Sequence, residues 1–229
     1  MPKRWAISDV HGCAKTFKQL LDRLELQPDD YLYLLGDYIN KGPRSKKVLK
    51  TIIKLKEDGH KIRCLMGNHE DLLLRALEDP LLIPMFNQHG GKETLKSFKV
   101  KSINDIPTEY INFFHSLEYY IELEDFVLVH STLNFLDKNP FTDRHAMLWT
   151  KGNRIIPAKI QYRRIIHGHT PTKLNVIKNG LKKPKNYALC IDAGCVYNGE
   201  ELGNLVALNL DTFELLVQKN EEEAVVEKK

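Results

Sequence analysis

The stretch Ser8-Asp9-Val10-His11-Gly12 follows directly on the short apolar run Trp5-Ala6-Ile7. A short apolar run that ends in polar residues and glycine is typical of a buried parallel strand. Ligands of open α/β sheets bind beyond the carboxyl ends of such strands. The sequence therefore predicts an α/β fold, with Asp9 and His11 at the edge of the sheet where a ligand binds.

Polar residues follow apolar runs at four further places in the chain. These groups are Gly36-Asp37, Gly67-Asn68-His69-Glu70, His130-Ser131 and His167-Gly168-His169-Thr170-Pro171. With the first stretch they supply six plausible metal donors, which are Asp9, His11, Asp37, Asn68, His130 and His169. Oxygen and imidazole donors without a thiolate favour Mn²⁺, Fe or Zn²⁺ over a structural zinc site or a calcium site. Six donors suffice for two ions if one carboxylate is shared, and we expect Asp37 to be the bridge.

The order and approximate spacing of these five motifs, from residue 5 to about residue 208, resemble those of the calcineurin-like metallophosphoesterases. Within that family the match is to the phosphoprotein phosphatase branch, which includes bacterial serine/threonine phosphatases, the lambda phage phosphatase and symmetrical diadenosine tetraphosphatases. The resemblance implies an α/β fold built as a four-layer α-β-β-α sandwich with a helical cap insertion. It also implies two divalent metal ions held by the six donors, Mn²⁺ first, with Fe or Zn²⁺ as alternatives.

The resemblance also implies roles in catalysis and phosphate binding. His69 is the implied general acid that protonates the leaving oxygen, with Asn40 as its catalytic partner, and the implied phosphate-binding residues are Lys41, Lys151 and Asn68. Asn40 stands where the family has Asp, so we expect it to accept a hydrogen bond from His69 without supplying a negative charge. Lys41 and Lys151 stand where the family has Arg, and they keep the charge but lose the guanidinium fork. A lower pH optimum than in relatives with the Asp should follow.

One domain is expected over residues 1–219, with the helical cap at about residues 72–120 and a disordered charged tail at residues 220–229. The 229 residues, 42% of them hydrophobic, allow a sizeable core. The net charge of +4 is spread over the chain and does not demand a nucleic-acid partner. No apolar run of membrane-spanning length and no signal peptide is found, so we expect a cytoplasmic protein without a membrane partner.

The implied mechanism is direct hydrolysis, in which a water that bridges two metals attacks phosphorus in line. The absence of a P-loop and of a Gly-x-Ser-x-Gly elbow argues against P-loop kinases and serine hydrolases. The first expectation is a serine/threonine protein phosphatase that acts on phosphomonoesters, with a phosphoprotein or a phosphorylated small molecule as substrate. The alternatives are a diadenosine polyphosphate or nucleotide hydrolase and, with less support, a non-catalytic metal-binding scaffold.

Overall fold

The computed structural model describes residues 2–152, 154–183, 186–199 and 201–222. The strands in these ranges are β1 Arg4–Ile7, β2 Tyr31–Leu34, β3 Lys61–Cys64, β4 Tyr120–Glu122, β5 Phe126–Val129, β6 Arg164–His167, β7 Ala188–Cys190, β8 Asn204–Asn209 and β9 Leu215–Lys219. The α-helices are α1 Ala14–Leu24, α2 Ser45–Glu57, α3 Asn68–Glu78, α4 Ile83–Phe86, α5 Lys92–Phe98, α6 Thr108–His115, α7 Arg144–Trp149 and α8 Leu174–Leu181. Within the described ranges, no helix has both the length and the apolar character needed to cross a bilayer.

The first sheet contains β1, β2 and β3, whose chain order alternates with helices as the sequence predicts. Its strand order is β3-β2-β1-β8-β9, with β1 parallel to β2, β2 parallel to β3, and the last two strands antiparallel. The three parallel strands point their carboxyl ends to the same edge, because each is joined to the next through a helix. Asp9, Asp37 and Asn68 follow these three strands and so reach that shared edge.

The second sheet has the order β4-β5-β6-β7, with β5, β6 and β7 parallel. One buried cluster contains Ala6 and Val206 from the first sheet together with Leu128 and Ile166 from the second, so the two sheets pack face to face. The outer face of the first sheet packs against helices and forms a larger cluster of buried apolar side chains. The outer face of the second sheet packs against α7 and nearby loops and forms a smaller cluster of the same kind. This layering confirms the predicted α-β-β-α fold class.

A helical segment between β3 and β4 touches the loop that follows β2. It comprises α3 to α6 and the short turns between them. Gly90 in this segment has φ of +90°, and its carbonyl oxygen accepts a hydrogen bond from the Lys41 amide at 3.3 Å. A Cβ at Gly90 would overlap the Lys41 backbone, so glycine is required by the close approach as well as by the positive φ. The helical segment therefore fixes the backbone at Asn40 and Lys41.

The start of the predicted disordered tail is held against the body of the protein, which corrects the expectation for residues 220–222. The Asn220 amide donates to the Gly203 carbonyl oxygen at 2.8 Å, and the Asn220 side chain accepts from Thr16 at 3.2 Å. The Glu222 carboxylate, only 3% exposed, pairs with Arg44 and accepts from the Lys15 amide at 2.5 Å. A charged composition indicates a solvated tail only where no fixed cation or amide is within reach. The rest of the predicted tail, residues 223–229, lies outside the described residues.

Candidate metal centre

Strand ends from both sheets bring the six predicted metal donors to one place. β1 leads to Asp9 and His11, β2 to Asp37, and β3 to the first turn of α3 with Asn68. β5 and β6 of the second sheet lead to His130 and His169. The loops are hydrogen-bonded to one another: the His11 amide donates to the Asp37 carbonyl oxygen at 2.8 Å, and the Gly168 amide donates to the His130 carbonyl oxygen at 2.8 Å. All six side chains are buried or nearly so.

The donor atoms form two groups that share one carboxylate. In the described part of the chain, His11, Asp37 and His69 form one triad, and Asp37, His130 and His169 form the other, each with its ligand atoms within 4.8 Å of one another. Asp37 Oδ2 lies 3.5 Å from His11 Nε2, and Asp37 Oδ1 lies 3.5 Å from His130 Nε2. One oxygen of Asp37 thus faces each group, which is the arrangement that a bridging carboxylate needs.

Asp9, a predicted ligand, belongs to neither triad. Both of its carboxylate oxygens lie 3.1 Å from the His169 amide, and one also accepts from the Ser8 hydroxyl. Its side chain is nevertheless buried beside the two groups, and its charge acts on His11 and Asp37. Asp9 therefore joins the loop after β6 to the loop after β1.

Backbone carbonyl groups orient two of the histidines. His11 Nδ1 lies 3.0 Å from the Ile39 carbonyl oxygen, and His130 Nδ1 lies 2.8 Å from the Leu35 carbonyl oxygen. Because a carbonyl oxygen can only accept, each Nδ1 carries the proton and each Nε2 presents its lone pair to the centre. The buried carboxylate of Asp192 accepts from the Gly194 amide through Oδ1 at 2.8 Å.

The donor set fits divalent metal ions because electron pairs face one another with no proton between them. His130 Nε2 lies 3.0 Å from Asn68 Oδ1, and both atoms are acceptors. His169 Nε2 is buried and has no hydrogen-bond partner among the described residues. His169 Nδ1, 2.9 Å from Asn68 Oδ1, can donate to that oxygen, but the Nε2 lone pairs of His130 and His169 still lack a donor. Buried acceptors without donors are costly. A bound cation removes that cost, so Asp37, Asn68, His130 and His169 together suit a hard or intermediate divalent ion.

Two carboxylates buried close together repel each other at this centre. Burial, and then the negative charge of Asp9, raise the pKa of Asp37 well above its usual value. Burial alone would also raise the pKa of Asp9, but His130, His11 and the Ser8 hydroxyl lower it below the usual value. The pair therefore favours one negative charge unless a cation is present to stabilise the second.

Burial also keeps His11 and His167 neutral, which predicts that these two side chains destabilise the metal-free protein in acid. Burial lowers the pKa of His167 to about 4, and burial lowers the pKa of His11 to about 3. The unfolded chain takes up these protons near the ordinary value of 6.5, before the folded chain does, so the contribution of these two histidines to stability falls as the pH falls from about 6.5 towards 4. For His167 the full loss is about 3 kcal/mol.

Urea unfolding in the presence of a chelator at a series of pH values from 7 to 4 measures this effect. The variant His167→Gln should show a shallower fall of unfolding free energy than the parent chain. Equal slopes for the two proteins would show that His167 does not titrate in this way.

Glu70 joins two of the metal loops, and the sequence analysis did not single it out. Its carboxylate accepts hydrogen bonds from the backbone amides of Asp37 at 2.9 Å, Tyr38 at 2.8 Å and Ile39 at 3.2 Å, and from the Gly67 amide at 3.1 Å. These amides belong to the loops after β2 and β3, so one fully buried side chain sets the separation of Asp37 from Asn68. Glu70 could have been identified by its position three residues after Gly67, because a capping Glu is common at that position of a helix N-terminus.

Gly168 allows the loop after β6 to approach the loop after β1. A Cβ at this position would overlap Asp9 Oδ2 and Ser8 Oγ. We therefore expect Gly168→Ala to displace His169, lower the affinity for the metal and reduce activity by about tenfold to a hundredfold, the usual cost of disturbing the support of a metal ligand. Metal titration with Mn²⁺ provides the measurement. Gly180→Ala is the matched control, because its Cβ meets only the movable ends of the Leu189 and Asn186 side chains.

The hydrogen bond between Asn40 and His69 has the opposite polarity to the one expected from the sequence. The Thr94 hydroxyl donates to Asn40 Oδ1 at 2.7 Å, and Asn40 Nδ2 lies 2.9 Å from His69 Nδ1. An amide nitrogen can only donate, so His69 Nδ1 accepts and the proton of the neutral ring is on Nε2. Asn40 therefore does not accept from His69, and His69 faces the centre as a hydrogen-bond donor. Thr94, on α5, was not identified from the sequence.

The two predicted phosphate-binding lysines occupy different surroundings. Lys41 Nζ lies 2.8 Å from His11 Nε2, so its ammonium group is at the metal centre itself. Lys151 is exposed, and its positive charge acts on His169. Arg44, three residues after Lys41, is paired with Glu222. Of the three cations, only Lys41 touches a predicted metal ligand.

The backbone at the centre is held in a sparsely populated conformation. Positive φ angles occur at His11, Asp37, Asn40, Lys41 and His169, with values from 44° to 70°. For residues other than glycine this left-handed region costs about 1–2 kcal/mol each. Such strain persists only where the surrounding contacts over-determine the backbone, and it is concentrated at functional sites. Five of the ten non-glycine residues with positive φ in the described ranges are predicted site residues, and the other five lie elsewhere in the fold.

Comparison with known proteins gives the family. The model of the calcineurin-like phosphoesterases matches residues 2–199. A symmetrical bis(5'-nucleosyl)-tetraphosphatase from Delftia acidovorans is 41% identical over 75 residues, which make up 32% of this chain and 26% of that protein. A symmetrical bis(5'-nucleosyl)-tetraphosphatase from Wigglesworthia glossinidia brevipalpis is 42% identical over 71 residues, 31% of this chain and 25% of that protein. The chain thus spans about a quarter of the length of the curated relatives that it matches.

Solved structures share the fold over nearly the whole chain. A putative diadenosine tetraphosphatase has a TM-score of 0.64 and 19% identity, and the match covers 95% of both chains. A protein serine/threonine phosphatase from Saccharomyces cerevisiae has a TM-score of 0.63 and 13% identity, and the match covers 97% of this chain and 81% of that one. At these identities the structural likeness concerns the fold alone. The fold and the family match over residues 2–199 agree, and the chain belongs to the calcineurin-like phosphoesterase family.

Proposed function

We propose that the protein is a metal-dependent phosphoric ester hydrolase that prefers phosphoanhydrides, with a dinucleoside polyphosphate as substrate. The observation on which this rests is the amide nitrogen of Asn40, which lies 2.9 Å from His69 Nδ1, at a position where the resemblance to the family implies a carboxylate. The relatives named symmetrical bis(5'-nucleosyl)-tetraphosphatases support the same substrate class. The serine/threonine protein phosphatase expected first from the sequence becomes the second candidate.

The buried donors suit a hydrolytic centre. Two divalent ions held by the predicted ligands would polarise the phosphoryl oxygens and supply an activated water for in-line attack. The chain itself contributes the Lys41 ammonium group, 2.8 Å from His11 Nε2, and the Nε2 proton of His69, 3.8 Å from Asp37 Oδ2. These two donors stabilise the charge that develops on the phosphoryl group and on the leaving oxygen.

The state of His69 decides which leaving groups the centre can expel. A neutral imidazole that donates from Nε2 can stabilise a leaving oxygen by a hydrogen bond, but it is a far weaker acid than an imidazolium ion. Asn40 supplies no negative charge to stabilise an imidazolium ion. A nucleotide phosphate needs no proton to leave, because its own pKa is about 6. A serine or threonine alkoxide does need one, since an aliphatic hydroxyl group is, like water, a very weak acid.

The test is the dependence of the rate on the leaving group. The Mn²⁺-loaded protein is assayed with aryl phosphates from dinitrophenyl to phenyl phosphate, with diadenosine tetraphosphate and with a phosphothreonine peptide. We expect a steep fall of kcat/KM as the leaving group becomes more basic, and a preference for the dinucleotide over the peptide. A flat dependence together with a preference for the peptide would contradict the proposal and favour the protein phosphatase. Absence of any metal-dependent hydrolysis would favour the non-catalytic scaffold.

A further inference from the structure

We propose that a cavity beside Lys41 binds one nucleoside of the substrate, with the Tyr197 ring stacked on the base and Lys92 bound to the phosphate chain. This inference rests on the proposed function and specifies how a dinucleotide is held. The cavity has a volume of about 740 Å³, within the range of small-molecule sites. It lies between the loop after β2, the start of α5 and the loop that contains Tyr197.

Lys41 connects the cavity to the metal centre. Lys41 lines it, and Lys41 Nζ lies 2.8 Å from His11 Nε2 on one side and 5.9 Å from the centroid of the Tyr197 ring on the other. A phosphate chain that starts at the metal ligands would therefore pass Lys41 before it reaches Tyr197. The nucleoside attached to that chain would come to the aromatic ring.

Several polar groups of the cavity have no partner within the described ranges. The Lys92 ammonium group, the Asn198 amide and the Tyr197 hydroxyl make no hydrogen bond or ion pair there, and Asn87 Oδ1 is buried without a hydrogen-bond partner. A buried acceptor without a donor is costly unless a ligand or water satisfies it. The cation can bind a phosphate, the amide groups can hydrogen-bond the edge of a base, and the aromatic ring can stack on the face of a base.

Tyr197 has the exposure that a stacking platform needs. Its side chain is 41% exposed, although the residues before it, Asp192 to Cys195, are buried. Its neighbour Asn198 carries an amide that can both donate to and accept from a base edge. Aromatic stacking tolerates any base, because every base has a π-face.

The charges of the cavity favour an anionic ligand. Its two carboxylates are already paired, Glu93 with Lys96 at 2.7 Å and Glu222 with Arg44. Lys41 and Lys92 are the remaining charged side chains of the described lining. The net positive charge attracts a phosphate chain and suits a nucleotide better than a free nucleoside.

The experiment compares ADP with pyrophosphate as probes, and diadenosine tetraphosphate with p-nitrophenyl phosphate as substrates. ADP affinity is measured by calorimetry on the Mn²⁺-loaded protein. We expect Tyr197→Ala to weaken ADP binding, and to lower the ratio of kcat/KM for the dinucleotide to that for p-nitrophenyl phosphate, by about tenfold to a hundredfold. Tyr197→Phe, which keeps the ring, should restore both values to within about twofold, because stacking needs only the aromatic face.

The controls separate this inference from the proposed function. Tyr162→Ala removes another exposed tyrosine, 68% exposed and outside this cavity, and should change neither value. If Tyr197→Ala leaves ADP affinity and the substrate ratio at parent values, or if it weakens ADP and pyrophosphate equally, the nucleoside site is wrong although the hydrolase stands. If the parent chain binds ADP through Tyr197 but does not hydrolyse the dinucleotide, the nucleoside site stands and the proposed function is wrong.

Discussion

Asp37→Asn is expected to remove metal-dependent hydrolysis almost completely, with a loss in kcat/KM of at least about a hundredfold to a thousandfold. The reason is that Asp37 is the one residue shared by both donor groups, with one oxygen facing His11 and the other facing His130. The substitution replaces one oxygen by an amide group whose hydrogens repel a cation, so the affinity at both positions should fall together. Metal content after dialysis and Mn²⁺-dependent hydrolysis of p-nitrophenyl phosphate are the two measurements.

The same substitution should stabilise the metal-free fold. Burial and the charge of Asp9 raise the pKa of Asp37, which means that its ionised form is unfavourable without a cation. The folded chain then binds more protons than the unfolded chain, so stability contributed by this group falls as the pH rises above the ordinary value of 3.8. In Asp37→Asn this dependence should be absent.

Asp192→Asn is the matched control for Asp37→Asn. It also removes a buried carboxyl group near the centre, but Asp192 accepts from the Gly194 amide and belongs to neither donor group. If Asp192→Asn reduces metal content as much as Asp37→Asn does, the effect arises from general loss of negative charge and the shared-ligand interpretation is wrong.

Asn40→Asp is expected to raise kcat/KM for substrates with basic leaving groups, relative to dinitrophenyl phosphate, by about a hundredfold. This is the lower end of the range for a positioned general acid. The new carboxylate would accept from His69 Nδ1, and its negative charge would stabilise the imidazolium ion. His69 could then protonate a basic leaving oxygen, so kcat/KM for phenyl phosphate and a phosphothreonine peptide should rise relative to dinitrophenyl phosphate. Because the imidazolium ion would persist to higher pH, the alkaline limb of the pH profile should also move upwards.

Asn40→Ala provides the control for charge. It removes the amide donor without adding a carboxylate, so the gain on basic leaving groups should not appear. If Asn40→Asp and the parent chain have the same dependence on the leaving group, then the parent His69 already acts as an acid. The amide of Asn40 would in that case present its oxygen to His69, contrary to the hydrogen bond from Thr94.

Much of the fold could be predicted because local patterns and tertiary packing agree. In α2, over Ser45–Glu57, the buried residues Val48, Leu49 and Ile52 recur at helical spacing. The apolar runs before Asp9, Asp37 and Asn68 are found as parallel strands of one sheet. Periodicity identifies such elements because one face of each must be buried against a neighbour. The tail was interpreted wrongly over residues 220–222, because its charged side chains meet Arg44 and backbone amides from the other end of the chain.

The sequence by itself determined which functional groups follow which strand, and hence that carboxylates, an amide and imidazoles converge at one edge. That much follows locally, because a residue that comes directly after the apolar run of a strand has to lie at the strand's carboxyl end. Only the tertiary structure decided how these groups are used. Thr94, 54 residues after Asn40, orients the amide and thereby the proton on His69, and Glu222 occupies Arg44. Hydrogen-bond polarity and ion pairing depend on which partner arrives from a distant segment, and spacing along the chain does not contain that information.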